Sequence, residues 1–208
     1  EKKLIYKTFN KKGAAGIPMH LAIFNLSNRI ACNFRIPLII WGENSAKEYG
    51  YKKKDHLLKK NLDKEWVKNY GVTNSTLAED WIDKEIKLKN IILYSDKQNL
   101  NYKSYSIFLA DYFKWDPLIS YQVAKKRGFK SLKSAKTGLY DFADIDDNFI
   151  SIHHYLKWYK FGFSRLFDNL SIEIRNKRIT REKAIKIIKK KGLNVPRQDI
   201  KIFCKYLG

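Results

Sequence analysis

Cysteine, methionine and proline are scarce: two, one and four residues in a chain of 208. Neither Cys32 nor Cys204 has a CxxC partner, which excludes a disulfide framework and a four-thiolate zinc site, and both are expected reduced. No stretch approaches the ~18 uninterrupted apolar residues of a spanning helix, and residues 1–20 carry no short apolar core leading to a small-residue cleavage site. The expectation is a cytoplasmic protein. Acid is also short, with 21 Asp and Glu against 42 Lys and Arg, a formal net charge of +21. Hydrophobic content of 44% with 14% aromatics is too high for a disordered basic tail, so this is the composition of a folded basic protein. The sequence opens at Glu1 without methionine and runs straight into Lys2-Lys3-Leu4-Ile5, from which a fragment whose beginning is missing is expected.

The basic excess is mostly lysine, 34 against 8 arginines, and it comes with 24 isoleucines and 15 asparagines. An A- and T-rich coding sequence inflates those three residues together, whereas surfaces selected to grip phosphate often favour the bidentate arginine fork. A field of this sign still attracts polyanions in a salt-dependent way.

Between Pro18 and Phe34, apolar Met19, Ala22, Ile23, Leu26, Ile30 and Phe34 recur at mostly three- and four-residue steps, which predicts an amphipathic helix ended by Pro37. Leu38-Ile39-Ile40-Trp41 then runs apolar without alternation, as a strand buried on both faces of a parallel sheet does. Helix followed by buried strand is half of an α/β unit, and its strand-end loop, Gly42-Glu43-Asn44, is where open α/β folds bind ligands. From Tyr51 the pattern changes to short helices and polar loops, with one helix predicted from Ser75 or Thr76 through Trp81 and Ile86 toward Ile91. Asp116 and Pro117 open another helix, Thr180 and Gly192 bracket one over Arg181 to Lys191, and Pro196 opens the last. Asp141, Asp144, Asp146 and Asp147 cluster, but they lack the central glycine and terminal glutamate of an EF-hand loop. Acid at a helix start is the plainer reading, and no metal site is assigned.

Several motifs stand in a familiar order. They are Pro37-Leu38-Ile39-Ile40-Trp41-Gly42-Glu43-Asn44, Asp111-Tyr112-Phe113-Lys114-Trp115-Asp116, Ile145-Asp146-Asp147, His153-His154-Tyr155-Leu156-Lys157, Lys160-Phe161-Gly162-Phe163 with Arg165, Ser171-Ile172-Glu173-Ile174-Arg175-Asn176 and Ile179-Thr180-Arg181-Glu182. Together, across about residues 9–207, they resemble the N-acetyl sugar amidotransferase family, ATP-pyrophosphatases of the PP-loop type. The resemblance implies an α/β fold: residues 1–50 as the C-terminal part of an adenine-nucleotide-hydrolase-like parallel sheet domain, and residues 51–208 as a mostly helical substrate and partner domain. It implies a cytoplasmic enzyme of lipopolysaccharide or O-antigen biosynthesis. Using ATP, with Mg2+, this enzyme would adenylate the acetamido oxygen of a nucleotide-linked sugar and admit ammonia from a partner glutaminase to leave an acetamidino group. The family's SGGxDS phosphate loop is absent from these residues, and Gly13-Ala14-Ala15-Gly16 is no substitute, so residues 1–208 alone are expected to be inactive. Relatives carry cysteines where this chain has Gly16 and Met19, so the resemblance implies no metal at this end.

Such chemistry needs phosphate donors, a proton acceptor and a sugar-positioning shell. Glu43 and Asn44 are the candidate catalytic residues and Gly42 and Asn44 the candidate nucleotide contacts; a bare turn would use Gly and Asn without needing Glu43. His153 and His154 point about 100° apart on a helix, so at most one meets a given ligand. Lys160, Arg165 and Arg175 sit among apolar neighbours and need an anion, which Asp168 and Glu173 could supply structurally or a substrate phosphate functionally. Tyr112, Phe113 and Trp115 read as core, with Asp111 and Asp116 as the polar substrate contacts. The alternative is a non-catalytic, nucleic-acid-binding basic domain of the tRNA-modification kind, in which +21 is the purpose. If the lysine excess is compositional, binding of duplex DNA or tRNA in filter assays will be weak, sequence-blind and lost as salt rises through the physiological range.

Overall fold

The computed structural model describes residues 1–49, 62–95 and 101–208; the lysine runs at 52–54 and 59–60 lie outside them. The chain divides into two units, Glu1–Trp115 and Asp116–Gly208. The boundary expected at residue 50 lies outside the described residues. The α/β part extends to Trp115 because a second strand closes the sheet late in the chain.

The first unit opens with α1 (Lys2–Lys12), which periodicity does not announce because lysines dilute its stripe. It stops at Gly13, where φ of 57° suits a residue without Cβ. Helix α2 (Ile17–Asn33) carries Pro18 in its first turn, where the missing N–H costs no bond. Strand β1 (Leu38–Trp41) pairs in parallel with β2 (Tyr105–Phe108), Leu38 opposite Tyr105 and Trp41 opposite Phe108. After β1 comes α3 (Ser45–Tyr49), then α4 (Lys64–Tyr70), whose first turn is capped by the Asp63 carboxylate accepting from Trp66 N–H at 2.7 Å.

Rings join these elements. Trp66 on α4 stacks on Phe108 of β2 with centroids 4.6 Å apart, and Phe24 of α2 sits 5.5 Å from Trp66 and 5.4 Å from Trp41. Leu4, Ile17, Leu21, Trp81 and Ile91 complete this core.

Three expectations fail here. The long helix after Ser75 is instead a 3₁₀ turn at Ala78–Trp81, then α5 (Leu88–Ile91) and a second 3₁₀ turn at Ile92–Tyr94. Ile82 leaves the first turn extended, and the Asp83 carboxylate takes the N–H groups of Glu85 and Ile86 at 2.9 Å each, an Asx turn in competition with helix. The expected apolar face of α2 also points outward: Ile23, Leu26, Ile30 and Phe34 are exposed, while Ile17, Leu21, Ala31 and Cys32 are buried. Strand β1 is likewise covered on one face only, with Leu38 and Ile40 exposed, because the two-stranded sheet has no second layer over them among the described residues.

In the second unit, α6 (Pro117–Lys126) leads to an irregular stretch ordered by a ring stack. Tyr121 lies 4.3 Å from Phe142, which lies 4.9 Å from Tyr140. Four helices follow: α7 (Ile150–Phe161), α8 (Arg165–Arg175), α9 (Arg181–Lys191) and α10 (Arg197–Leu207). Leu166, Leu170 and Ala184 form a small apolar cluster with Ile187 and Ile188 packed against it.

The ring core makes a contrast testable by denaturant unfolding. Phe108→Ala should cost about 3–5 kcal/mol, as for a fully buried ring. Ile40→Ser, at a position 57% exposed, should change stability by no more than about 0.5 kcal/mol.

Candidate functional site

The two parallel strands run out together, so the loop after Trp41 and the 3₁₀ turn at Leu109–Asp111 share one carboxyl edge of the sheet. Gly42 and Glu43 are exposed there and Asn44 is buried. A Cβ built on Gly42 would meet nothing within 4 Å, and its φ is not in the left-handed range, so packing does not demand glycine. Asn44 is structurally engaged. Its side-chain oxygen accepts from the N–H groups of Ala46 at 3.1 Å and Lys47 at 3.4 Å, capping α3. From α3, Lys47 reaches Asp111, Nζ to Oδ1 3.7 Å. Four of the residues expected from the sequence, Gly42, Glu43, Asn44 and Asp111, therefore meet at one edge. The aromatic residues expected as core do not behave as core, since Tyr112 is 56% and Phe113 67% exposed, directly after Asp111. The turn that brings Asp111 back over the strand ends carries them outward.

The remaining expected residues belong to the second unit, where Asp116, His154, Arg165 and Glu173 are buried in a lattice of charges. Arg178 donates from Nε and Nη2 to Glu173, at 2.6 and 2.7 Å, and from Nη1 and Nη2 to Asp116, at 2.5 and 3.2 Å. Asp116 is 3% exposed and also caps α6, accepting from Leu118 N–H at 3.0 Å. Burial alone would raise the Asp116 carboxyl; the Arg178 fork and the backbone donors outweigh it and hold it below its ordinary value. Arg178 likewise holds Glu173 down, against burial, with help from the Tyr140 hydroxyl that donates to it. Burial and the Glu173 charge push the Tyr140 phenol well up. Arg178 sits beyond the end of α8 and reaches back because Lys177 takes a left-handed φ of 58°.

A second knot lies alongside. Asp144 is met by Arg165 Nε at 3.3 Å, by the Thr137 hydroxyl at 2.8 Å and by His154 Nε2 at 3.6 Å, an ion-pair distance just outside hydrogen-bond reach. Burial would raise Asp144, but these neighbours together hold it well below the carboxylate range. His154 is buried and His153 half-buried, their rings 5.2 Å apart, so only His154 enters the lattice. Lys157 pairs with Asp168 beneath the Phe163 ring. Lys160 and Arg175, expected among apolar neighbours, are exposed at the last turns of α7 and α8, where a cation meets the helix dipole favourably. The better-covered positions belong instead to Lys157 and Arg178, neither of which the sequence marks as a site residue. For Arg178, the signal is a cation three residues past the end of a helix bearing a buried glutamate.

The acidic cluster disperses. Asp141 accepts from the Ser131 hydroxyl at 3.1 Å, Asp144 is in the lattice, and Asp147 accepts from Phe149 N–H at 2.7 Å before α7. Among the described residues no three His, Cys, Asp or Glu side chains are grouped as a metal site, and no helix is long and apolar enough to cross a membrane.

A short parallel α/β pair followed by a helical, charge-laced unit is the architecture against which relatives can be set. Residues 121–208 match the model of a family described as LPS biosynthesis protein WbpG-like, C-terminal domain. The match spans nearly all of the second unit, including Glu173, Arg178 and the Asp144 knot, and at this coarse level it associates that unit with lipopolysaccharide biosynthesis. No curated protein matches the chain.

Removing one partner from a buried ionic knot strands the others. Arg178→Met should therefore cost about 2–4 kcal/mol, while Arg175→Met should fall within about 0.5 kcal/mol. The depressed carboxyls set the pH response. Their stabilisation is complete above the unfolded carboxylate range, near about 4, and is lost as pH falls through and below it, so thermal melts of wild type should fall steeply there. In Arg178→Met the part of that fall due to Asp116 and Glu173 should disappear.

Proposed function

We propose that the chain serves in ATP-dependent amidotransfer to the acetamido group of a nucleotide-linked sugar in lipopolysaccharide or O-antigen biosynthesis. It does so in the cytoplasm, with ammonia from a glutaminase partner. Two findings support the reading: the family match of the second unit, and the meeting of Glu43, Asp111 and Lys47 at the carboxyl edge of a parallel strand pair. The second carries the chemistry, since an exposed carboxylate in the loop at the carboxyl end of a parallel strand stands where a proton-accepting group can meet a ligand.

The edge does not fit a magnesium triphosphate. It offers Glu43, Asp111 and Lys47, its asparagine is committed to capping a five-residue helix, and no metal-holding group forms among the described residues. What it fits is proton handling. In the overall reaction, adenylyl transfer makes the acetamido oxygen a leaving group and ammonia nitrogen replaces it. Ammonium must lose a proton before it attacks, and Glu43 is the acceptor in this reading. Asp111 pairs with Lys47 at the same edge, and Tyr112 and Phe113 offer flat apolar surface for a sugar ring.

With ATP, ammonia and UDP-N-acetylglucosamine as probe, the enzyme supplied with an SGGxDS-type phosphate loop should release pyrophosphate and yield an amidine, detected by mass; residues 1–208 alone should release none. Glu43→Gln should lower turnover by roughly 10² or more with an unchanged melting temperature. Asn44→Asp, which keeps the cap, should fold normally, while Asn44→Ala should lose about 1 kcal/mol. Near-normal turnover in Glu43→Gln would return this loop to a purely structural role.

A further inference from the structure

The last two helices and the loop between them gather cations in a way that the overall lysine bias does not account for. Lys and Arg outnumber acids two to one in the whole chain, 42 to 21, yet no acid stands between Glu182 and Asp199, a stretch that carries six cations. Neither flanking acid offsets them at the loop: Glu182 lies in the first turn of α9, at its far end, and Asp199 accepts from the Ser151 hydroxyl of α7. Packing fixes which sides face out. Ala184, Ile187 and Ile188 of α9 turn toward Leu166 and Leu170, and Phe203 of α10 is buried with its ring 4.9 Å from Phe149. Lys186 and Lys190, one turn apart on α9, and Arg197 and Lys201, one turn apart on α10, are left exposed. Between them Gly192 ends α9 at a φ of 60°, and the loop it opens carries Leu193 and Val195, both exposed. Lys191 donates to the Gly138 carbonyl, which holds the end of α9 and with it the root of the loop.

Two aliphatic side chains on a loop, flanked by cations in a stretch without acid, suit a surface that is anionic outside and apolar beneath. A nucleic acid would ask for aromatic platforms under its bases and arginine forks on its phosphates, whereas this loop offers aliphatic side chains and mostly lysine. We propose that the loop at 192–196 and the cations of the adjoining helix ends dock the protein on an anionic phospholipid bilayer. Lys186, Lys190, Arg197 and Lys201 meet headgroup phosphates, and Leu193 and Val195 enter the boundary between headgroups and acyl chains. At 11 residues each, α9 and α10 are too short to cross the bilayer, so the association is peripheral. It rests on this surface alone and does not depend on the amidotransfer reading.

Co-sedimentation of the full chain with vesicles is the test. The protein should sediment with vesicles of phosphatidylcholine containing about one-third phosphatidylglycerol, and not with vesicles of phosphatidylcholine alone. Lys186→Gln with Lys190→Gln should weaken partitioning roughly 25-fold, about fivefold for each cation lost. Leu193→Ser with Val195→Ser, which leaves the charge unchanged, should weaken it about tenfold or more. The reference pair is Lys87→Gln with Lys89→Gln in the first unit, which removes the same charge beside an exposed Leu88 but next to Asp83 and Glu85; it should change partitioning by less than about twofold. All six side chains are exposed, and circular dichroism should report unaltered folds. Equal losses in the two lysine pairs would reduce the effect to net charge and overturn the proposal. So would the absence of sedimentation with acidic vesicles, partitioning untouched by the Leu193 and Val195 substitutions, or tighter binding of tRNA than of vesicles through the same lysines.

Discussion

A carboxylate that is nearly sealed from water needs a cation that cannot leave, and the second unit is organised around that need. Asp116 starts α6, Glu173 lies on α8, Tyr140 belongs to the irregular segment between them, and all three are bonded to the same guanidinium or to each other. One side chain thereby ties the entrance of one helix to the exit of another. The left-handed Lys177 is the local strain that puts it there. Buried ionic groups stabilise little compared with a well-packed apolar alternative, but they tolerate few rearrangements, so such a lattice specifies geometry more than it adds free energy.

The first unit is built on the opposite principle. Its buried polar residues, Thr8, Asn44, Thr73, Thr76 and Ser95, are neutral, and its centre is a set of aromatic rings. Neutral polar groups here act locally: Asn44 caps, the Ser45 hydroxyl donates to the Tyr70 carbonyl, and Thr76 accepts from the Trp81 indole at 3.2 Å. The sheet edge stands apart from this neutral interior, with Lys47 and Asp111 paired across it.

Local punctuation made much of this legible in the sequence. Pro37 followed by four apolar residues marks β1. Thr180, Gly192 and Pro196 set the limits of α9 and the start of α10, and Thr180 does accept from Lys183 N–H at 3.3 Å. Asp116 before Pro117 announces α6 for the same reason. The outward stripe of α2 was not legible, because both sides of that helix are apolar and periodicity cannot say which side meets the core. The segment from Thr76 to Tyr94 defeated propensity through one carboxylate, Asp83, which offers the backbone a better partner than a helix does. At the strand edge, the position of Glu43 and Asn44 was readable because they are contiguous with β1. The pairing of Lys47 with Asp111 was not, since the two are brought together only by folding.

The sparse apolar core of the second unit has a thermal consequence. Unfolding raises heat capacity in proportion to the apolar surface it exposes and lowers it with the polar surface. A unit whose buried side chains include Asp116, Lys157, Arg165 and Glu173 beside few large aliphatics exposes an unusually polar interior when it opens. Its stability curve is accordingly broad and shallow, while the ring-centred first unit has the sharper dome, so chilling weakens the sheet and its rings before it weakens the helices of the charge lattice.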